Sequence, residues 1–294
     1  GQLVIKPIEA TVTITGHNNT APYNGEEHIV TGYDVTSISS ELYTEDDFEF
    51  TGEAEAKRTD NGTTPMGLTA ANFTNTNNNF SKVTFDVTDG YQAITPVEEV
   101  VVTITGHNNT TDYDGEEHTV TGYDVQISNP LYTEDDFTFS GTSTEAKLTD
   151  AGTEYMGLAE DQFANKSENF KDVTFVVTDG YQKINPIDVT VTITEHSDEV
   201  DYDSKEHTVT GYDTAFSNSL YKATDFTFSG NDSVSGTDAT SYDMELKASD
   251  FANINDNFKN VTFVIKDGQL VINPVDVIVT IEDRKSGSAG MPRP

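Results

Sequence analysis

One segment, stated four times, limits what this chain can fold into. Gly180-Tyr-Gln-Lys-Ile-Asn-Pro-Ile-Asp-Val-Thr-Val-Thr-Ile-Thr194 recurs as Gly90–Thr105, opens the chain as Gly1–Thr15 and returns as Gly268–Ile281. Four copies bracket three copies of everything else, the layout expected of a tandem array cut from a longer one. His17, His107 and His196 mark the period, at spacings of 90 (107 − 17) and 89 (196 − 107) residues. Solenoid repeats run to about 20–50 residues. A unit near 90 residues can bury its own core, so each repeat is expected to be a domain.

The local patterns are those of strands. Thr11-Val-Thr-Ile-Thr15 and Val189-Thr-Val-Thr-Ile-Thr194 alternate apolar and polar residues with period two, the pattern of a half-buried strand. Tyr23-Asn-Gly-Glu-Glu-His28, Tyr113-Asp-Gly-Glu-Glu-His118 and Tyr202-Asp-Ser-Lys-Glu-His207 predict tight reversals, because Asn-Gly and Asp-Gly favour positive φ. His118-Thr-Val-Thr-Gly-Tyr-Asp124 reads as a further strand, and Asp47-Phe-Glu-Phe50 places two Phe rings on one face. Thr69-Ala-Ala-Asn-Phe73 is long enough for one helical turn only, too short for a stable helix. About seven short strands per repeat fit a β-sandwich.

The recurring segment also predicts how repeats join. Fifteen extended residues span about 50 Å, so the Tyr-Gln-x-Ile half would close one module and the Val-Thr half open the next. Pro7, Pro96, Pro186 and Pro274 stand between the halves. Proline lacks an N–H and fixes φ, which suits a strand changing sheets with little hinge freedom. Val97-Glu-Glu99 holds one residue more than its counterparts, which predicts a compensating bulge and a different angle at that junction.

The expected fold is therefore all-β, three tandem Ig-like β-sandwich modules forming an extended rod. The alternative is β-grasp-like modules with one short helix. The boundaries read as a closing strand of an absent preceding repeat (1–7), repeats at 8–96, 97–186 and 187–274, the opening strand of an absent following repeat (275–281), and a linker or tail (282–294). Met291-Pro-Arg-Pro294 is too short to read as a sortase motif.

Charge narrows the partners. Sixteen Lys and Arg against 51 Asp and Glu give a net charge of −35. That surplus favours a soluble, self-repelling molecule and argues against nucleic acid or anionic membrane as partner. The chain has no Cys, so disulfides and thiolate metal sites are excluded. No stretch has the roughly 18–20 apolar residues of a spanning helix, so no membrane insertion is expected.

Together the Y(D/N)G-x-E-H turn, the closing D-G-Y-Q-x-I-x-P and the V-T-V-T-I-T opener resemble the MBG/YDG-type repeats of bacterial cell-surface and adhesin-like proteins. The likeness covers residues 1–281. It implies an extracellular, surface-displayed stalk whose repeats project a distal binding region, with no catalytic residues to carry over. The third copy departs at Asp203-Ser-Lys205, where the turn glycine is lost.

All six His fall at two repeat positions, 17/107/196 and 28/118/207. Rings meeting across a hairpin with Glu27, Glu117 or Glu206 would suit a metal; duplication of a local hydrogen bond explains them more simply. Glu45-Asp-Asp47, Glu134-Asp-Asp136 and Asp112-x-Asp114 offer oxygen ligands for calcium, yet the third copy keeps only Asp225 of its cluster, Ala223-Thr-Asp225. Lys57 and Lys147 are equivalent but the third copy has Ser235 there, which argues against a universal isopeptide bond. No nucleophile elbow, H-E-x-x-H or Walker loop occurs. No catalytic, cofactor-binding or metal-binding residue is assigned, no cofactor is expected beyond the calcium alternative, and the chain reads as a non-enzyme.

The expected function is a structural stalk whose partners are its neighbouring repeats. Two rivals remain. Each repeat could bind a host glycan or protein weakly, adding avidity, with Tyr91 and Tyr181 as platforms, although these sit at the strand switch and are expected to pack at junctions instead. Alternatively, the edge segments Gln2–Ile5 and Val275–Ile281 could support head-to-tail self-association.

Overall fold

The computed structural model describes residues 1–6 and 8–282. The expectations placed on Pro7 and on the C-terminal tail from 283 onward lie outside the described residues.

Among the described residues there is no α-helix, and strands follow one another in three like sets. The first set is β1 (Ile8–Gly16), β2 (Asn18–Pro22), β3 (His28–Thr31), β4 (Tyr33–Ile38), β5 (Phe48–Phe50), β6 (Glu55–Arg58), β7 (Gly62–Pro65), β8 (Phe73–Asn75), β9 (Phe80–Thr88) and β10 (Tyr91–Thr95). The second set runs from Val97–Gly106 to Tyr181–Asn185, and the third from Ile187–Glu195 to Gln269–Asn273. The fold is thus a series of β-sandwich modules.

Each set has ten strands where the sequence suggests about seven. Glycines divide runs that read as one strand. Gly32, Gly122 and Gly211 take φ of +91°, +84° and +86°, a conformation that costs a β-branched residue heavily. The chain turns there, so β3 pairs with β6 while β4 pairs with β1. The Tyr23–His28 turn does bend at Gly25 (φ +80°), but it is no hairpin: β2 pairs with β10 and β3 with β6.

In the first set, β1 lies between antiparallel β4 and parallel β9. β10 lies between parallel β2 and antiparallel β7. β1 is central, so its apolar positions face the core while its threonines face outward: Val12 and Ile14 are fully buried, each contributing about 1.5–3 kcal/mol. Around them pack Tyr43, Phe48, Phe73 and Phe80. Tyr43 meets Phe80 edge-on at 4.8 Å, a geometry worth about 0.5–1.5 kcal/mol beyond area. Its hydroxyl lies 2.9 Å from Asp47 O and 3.0 Å from Asn75 Oδ1, donating its single proton between them. As expected, Phe48 and Phe50 share a face, both against Phe73.

The helical turn expected near Thr69 is a 3-10 turn, Ala70–Asn72. A second one, Glu45–Asp47, occupies the acidic cluster.

The extra residue in Val97-Glu-Glu99 removes an irregularity where one was expected to form. In the first set Ile8 pairs with Phe80 and Glu9 with Lys82, so β9 bulges at Ser81. The third set shifts likewise between Ile187 and Val189. In the second, Val97 pairs with Phe170 and Glu99 with Asp172 in constant register. The inserted residue matches the bulge already present in the partner strand.

The chain forms two compact units. Of the described residues, one comprises those of 1–108, 119–146 and 155–181; the other comprises 109–118, 147–154 and 182–282. The first set lies whole in the one and the third set whole in the other, and the second set supplies strands to both.

Candidate functional site

The recurring segment passes from one sheet to the next with a single proline between strands: Tyr91–Thr95, Pro96, Val97–Gly106, and again Tyr181–Asn185, Pro186, Ile187–Glu195. Beside each passage the repeats touch through the same side chains. Within the first unit, Tyr23 packs edge-on against Phe170 at 5.6 Å and 78°. Asn61 N–H donates to Asn169 Oδ1 at 2.7 Å, and Asn169 Nδ2 donates to Asp60 Oδ1 at 3.0 Å. Asn61 Nδ2 adds a bond to Glu168 O at 3.0 Å. Within the second unit, Tyr113 meets Phe258 at 5.7 Å and 77°. Ala151 N–H donates to Asn257 Oδ1, and Asn257 Nδ2 donates to Asp150 Oδ1 at 2.9 Å.

These joint residues escaped the sequence reading. The signal was the Asn-Phe pair that recurs as Asn79-Phe80, Asn169-Phe170 and Asn257-Phe258. The tyrosine of the Y(D/N)G turn is the joint aromatic, whereas Tyr91 and Tyr181 were expected to pack at junctions. Tyr91 is exposed, and Tyr181 packs edge-on against Tyr155 of its own repeat at 6.0 Å. Their own side of the strand faces away from the core, which takes the neighbouring Gln92 and Gln182 instead.

The D-G-Y-Q element closes each module internally. Asp89 accepts from Gly67 N–H (3.0 Å) and Leu68 N–H (2.8 Å), and Asp179 does the same for Gly157 and Leu158. Gly90 and Gly180 sit where a Cβ would run into the carbonyls of His17 and His107. Gln92 and Gln182 are fully buried, each accepting from Asn19 or Asn109 Nδ2 at 3.0 Å. Each Gln also donates onward to a backbone carbonyl, Ala93 O or Lys183 O, as a buried amide requires. The third repeat solves the same problem differently. Leu270 replaces the buried Gln, and Glu195 stands where the others have Gly16 and Gly106. Its buried carboxylate accepts from Leu246 N–H and Gly268 N–H at 2.8 and 2.7 Å.

The histidines do not converge. His17, His107 and His196 each place Nδ1 2.8 Å from a strand carbonyl, Thr31, Thr121 or Thr210. Their Nε2 atoms lie 3.2–3.4 Å from Asp34, Asp124 and Asp213. Both acceptors are served only by the imidazolium, and the pKa is raised: in His17 and His107 chiefly by the carboxylate, in His196 chiefly by the carbonyl. His28, His118 and His207 turn back to Asn24, Asp114 and Asp203 within their own turns.

In the acidic clusters, Asp47, Asp136 and Asp225 cap their 3-10 turns by accepting the N–H of Thr44, Thr133 and Lys222. This explains why the third copy keeps Asp225 while losing its two neighbours: the cap is the repeated function. The Thr44 bond is also the first cause holding Asp47 below the usual carboxylate range. Among the described residues no three His, Asp or Glu side chains group as metal ligands. Lys57 is ion-paired with Glu55 at 2.8 Å.

Among known proteins, the family model described as the MBG domain matches residues 188–274. No curated protein matches the chain. Among solved structures, the I9–I11 tandem from titin is similar at 10% identity, covering 90% of this chain and 100% of that one, with a TM-score of 0.17. Residues 188–274 are thus similar to the MBG domain, and the first two repeats are tied to them by the grammar that all three share.

Proposed function

We propose that the chain is a non-catalytic spacer, part of the stalk of an extracellular bacterial surface adhesin, whose repeats project a binding region from the cell. The observation that supports this best is the joint: one clamp of Tyr on Phe and Asn against Asp is built twice, beside a strand that crosses with only a proline between. An aromatic contact and a hydrogen-bonded one beside a covalent strand resist bending and twisting, and this is the mechanical task of a stalk. The charge of −35 keeps neighbouring stalks apart at low salt. Small-angle scattering tests the reading. Three ~90-residue modules in line reach about 100 Å, so a maximum dimension at or above that value, unchanged by EDTA, is expected. A compact or flexible particle would overturn the spacer, and collapse on chelation would reinstate calcium.

Weak glycan or protein binding has one observation in its favour. In the third repeat Tyr212, Phe226 and Phe228 line a cleft with Asp232 and Ala223. The position of Ala223 is Glu45 or Glu134 in the other repeats, where burial first, and the nearby acid second, raises the pKa of Tyr33 and Tyr123. Avidity needs the same surface in every copy, and Ala223 is not repeated in the other two, so the spacer is preferred.

A further inference from the structure

Two steps of this chain join asparagine to glycine, Asn24-Gly25 and Asn61-Gly62. In such a step the glycine nitrogen can attack the side-chain amide carbon of the asparagine, because no Cβ on the glycine blocks the approach. The fold holds the two steps in opposite ways.

At Asn24 the oxygen is held and the reacting nitrogens are free. Asn24 Oδ1 accepts from Glu26 N–H at 2.9 Å and lies 3.0 Å from His28 Nε2. The Glu26 bond fixes which end of the amide is oxygen, so His28 Nε2 must donate. Among the described residues nothing bonds to Asn24 Nδ2, to Gly25 N–H or to the carbonyl between them, and both residues are exposed. At Asn61 the pattern is inverted. Asn61 Nδ2 donates to Glu168 O at 3.0 Å, and the Arg58 guanidinium holds the Asn61 carbonyl. Gly62 sits in β7, paired with Ile94. The leaving amide and the peptide that would have to turn are both tied, and among the described residues no donor reaches Asn61 Oδ1.

We infer that Asn24 is a site of self-modification in the folded chain, deamidating through a cyclic imide with Gly25, while Asn61 is protected. Gly25 N gives its proton to solvent and bonds to Asn24 Cγ. Charge gathers on Oδ1, where Glu26 N–H and His28 Nε2–H already point, and donors aimed at a developing oxyanion lower the barrier. The Cγ–Nδ2 bond then breaks, and Nδ2 leaves as ammonia with a proton from water. A second water opens the imide: opening at Cγ gives aspartate, and opening at the main-chain carbon gives isoaspartate. The net change is one water consumed and one ammonia released.

The other two repeats already hold aspartate at this position. Asp114 Oδ1 accepts from Glu116 N–H at 2.9 Å and His118 Nε2 at 3.0 Å. Asp203 Oδ1 accepts from Lys205 N–H and His207 Nε2, both at 2.9 Å. The same pair of donors therefore takes the aspartate product without rearrangement. Isoaspartate instead inserts a main-chain carbon beside Tyr23, whose ring meets Phe170 at 5.6 Å, so that fraction loosens the first joint.

Peptide mapping by mass spectrometry of the full chain, aged at neutral pH, tests this. In the folded chain Asn24 should convert at least about ten times faster than Asn61, as expected where one is served by an oxyanion site and the other is not. In urea, where neither is held, the two should convert at like rates. His28→Ala should slow Asn24 about tenfold, less than the ~10²–10³ of an enzymic oxyanion donor because water reaches this turn, and should leave Asn61 unchanged. If that variant melts early, the wild-type ratio of the two rates, folded against urea, decides. Like rates at both sites in the folded chain overturn the inference, as does an Asn24 rate unmoved in folded His28→Ala. The isoaspartyl fraction, resolved by ion exchange, should exchange the Asn61 amide faster than fresh chain, because that amide is bonded across the same joint; equal exchange would overturn the effect on the joint. The rate comparison does not depend on the spacer reading, which the scattering dimension judges separately.

Discussion

Asn257→Ala is the sharpest test of the joint. The side chain bridges two repeats, accepting from Ala151 N–H and donating to Asp150 Oδ1 at 2.9 Å. It is 9% exposed, so water does not readily replace it. The bond from the half-buried Ala151 N–H is worth about 1 kcal/mol net. The one to Asp150 is charged but solvent-exposed, which holds it to about 1 kcal/mol as well. The variant should therefore weaken the joint by about 2 kcal/mol, lowering the urea midpoint of the third repeat by about 1 M if its m-value is near 2 kcal/mol/M. Coupling between neighbours is the quantity changed, so the second repeat should lose protection too. Hydrogen exchange read over 148–154 and 255–260 is the assay, and faster exchange of the Ala151 amide without global unfolding is the expected result. Unchanged exchange at Ala151, with an unchanged midpoint, would refute the clamp.

Two further outcomes follow from local geometry. His17, His107 and His196 have raised pKa values through their carboxylate and carbonyl partners, so the stability they add is full below about 6.5 and is lost as pH rises through the higher folded value. Urea midpoints should fall across that window, less so in His107→Gln, and a flat profile would sink the imidazolium assignment. Gly180→Ala should destabilise the second repeat by about 1–3 kcal/mol or more, because the new Cβ meets the His107 carbonyl and lies 2.7 Å from Met156 Sδ. Calorimetry showing less than about 0.5 kcal/mol would mean that the crossover has room to relax.

The sequence by itself determined the repeat, its strand character and the passage of one strand between sheets, because these depend on period-two patterning and proline, both local properties. It also located the turns, since Asn-Gly and Asp-Gly act within four residues. It did not show that β3 and β4 belong to different partners, because one glycine at positive φ redirects the chain without disturbing the apolar pattern. Nor did it show Gln92 and Gln182 as core residues: a buried amide becomes tolerable only when Asn19 or Asn109 arrives from a strand about 73 residues away. The joint was the deepest omission. Asn169 and Asn257 look like ordinary polar turn residues, and only tertiary structure brings them to Asp60 and Asp150, over 100 residues distant. Hydrogen bonds at that separation leave no periodicity in the chain. Packing decides them, and with them whether three like modules also hold one another.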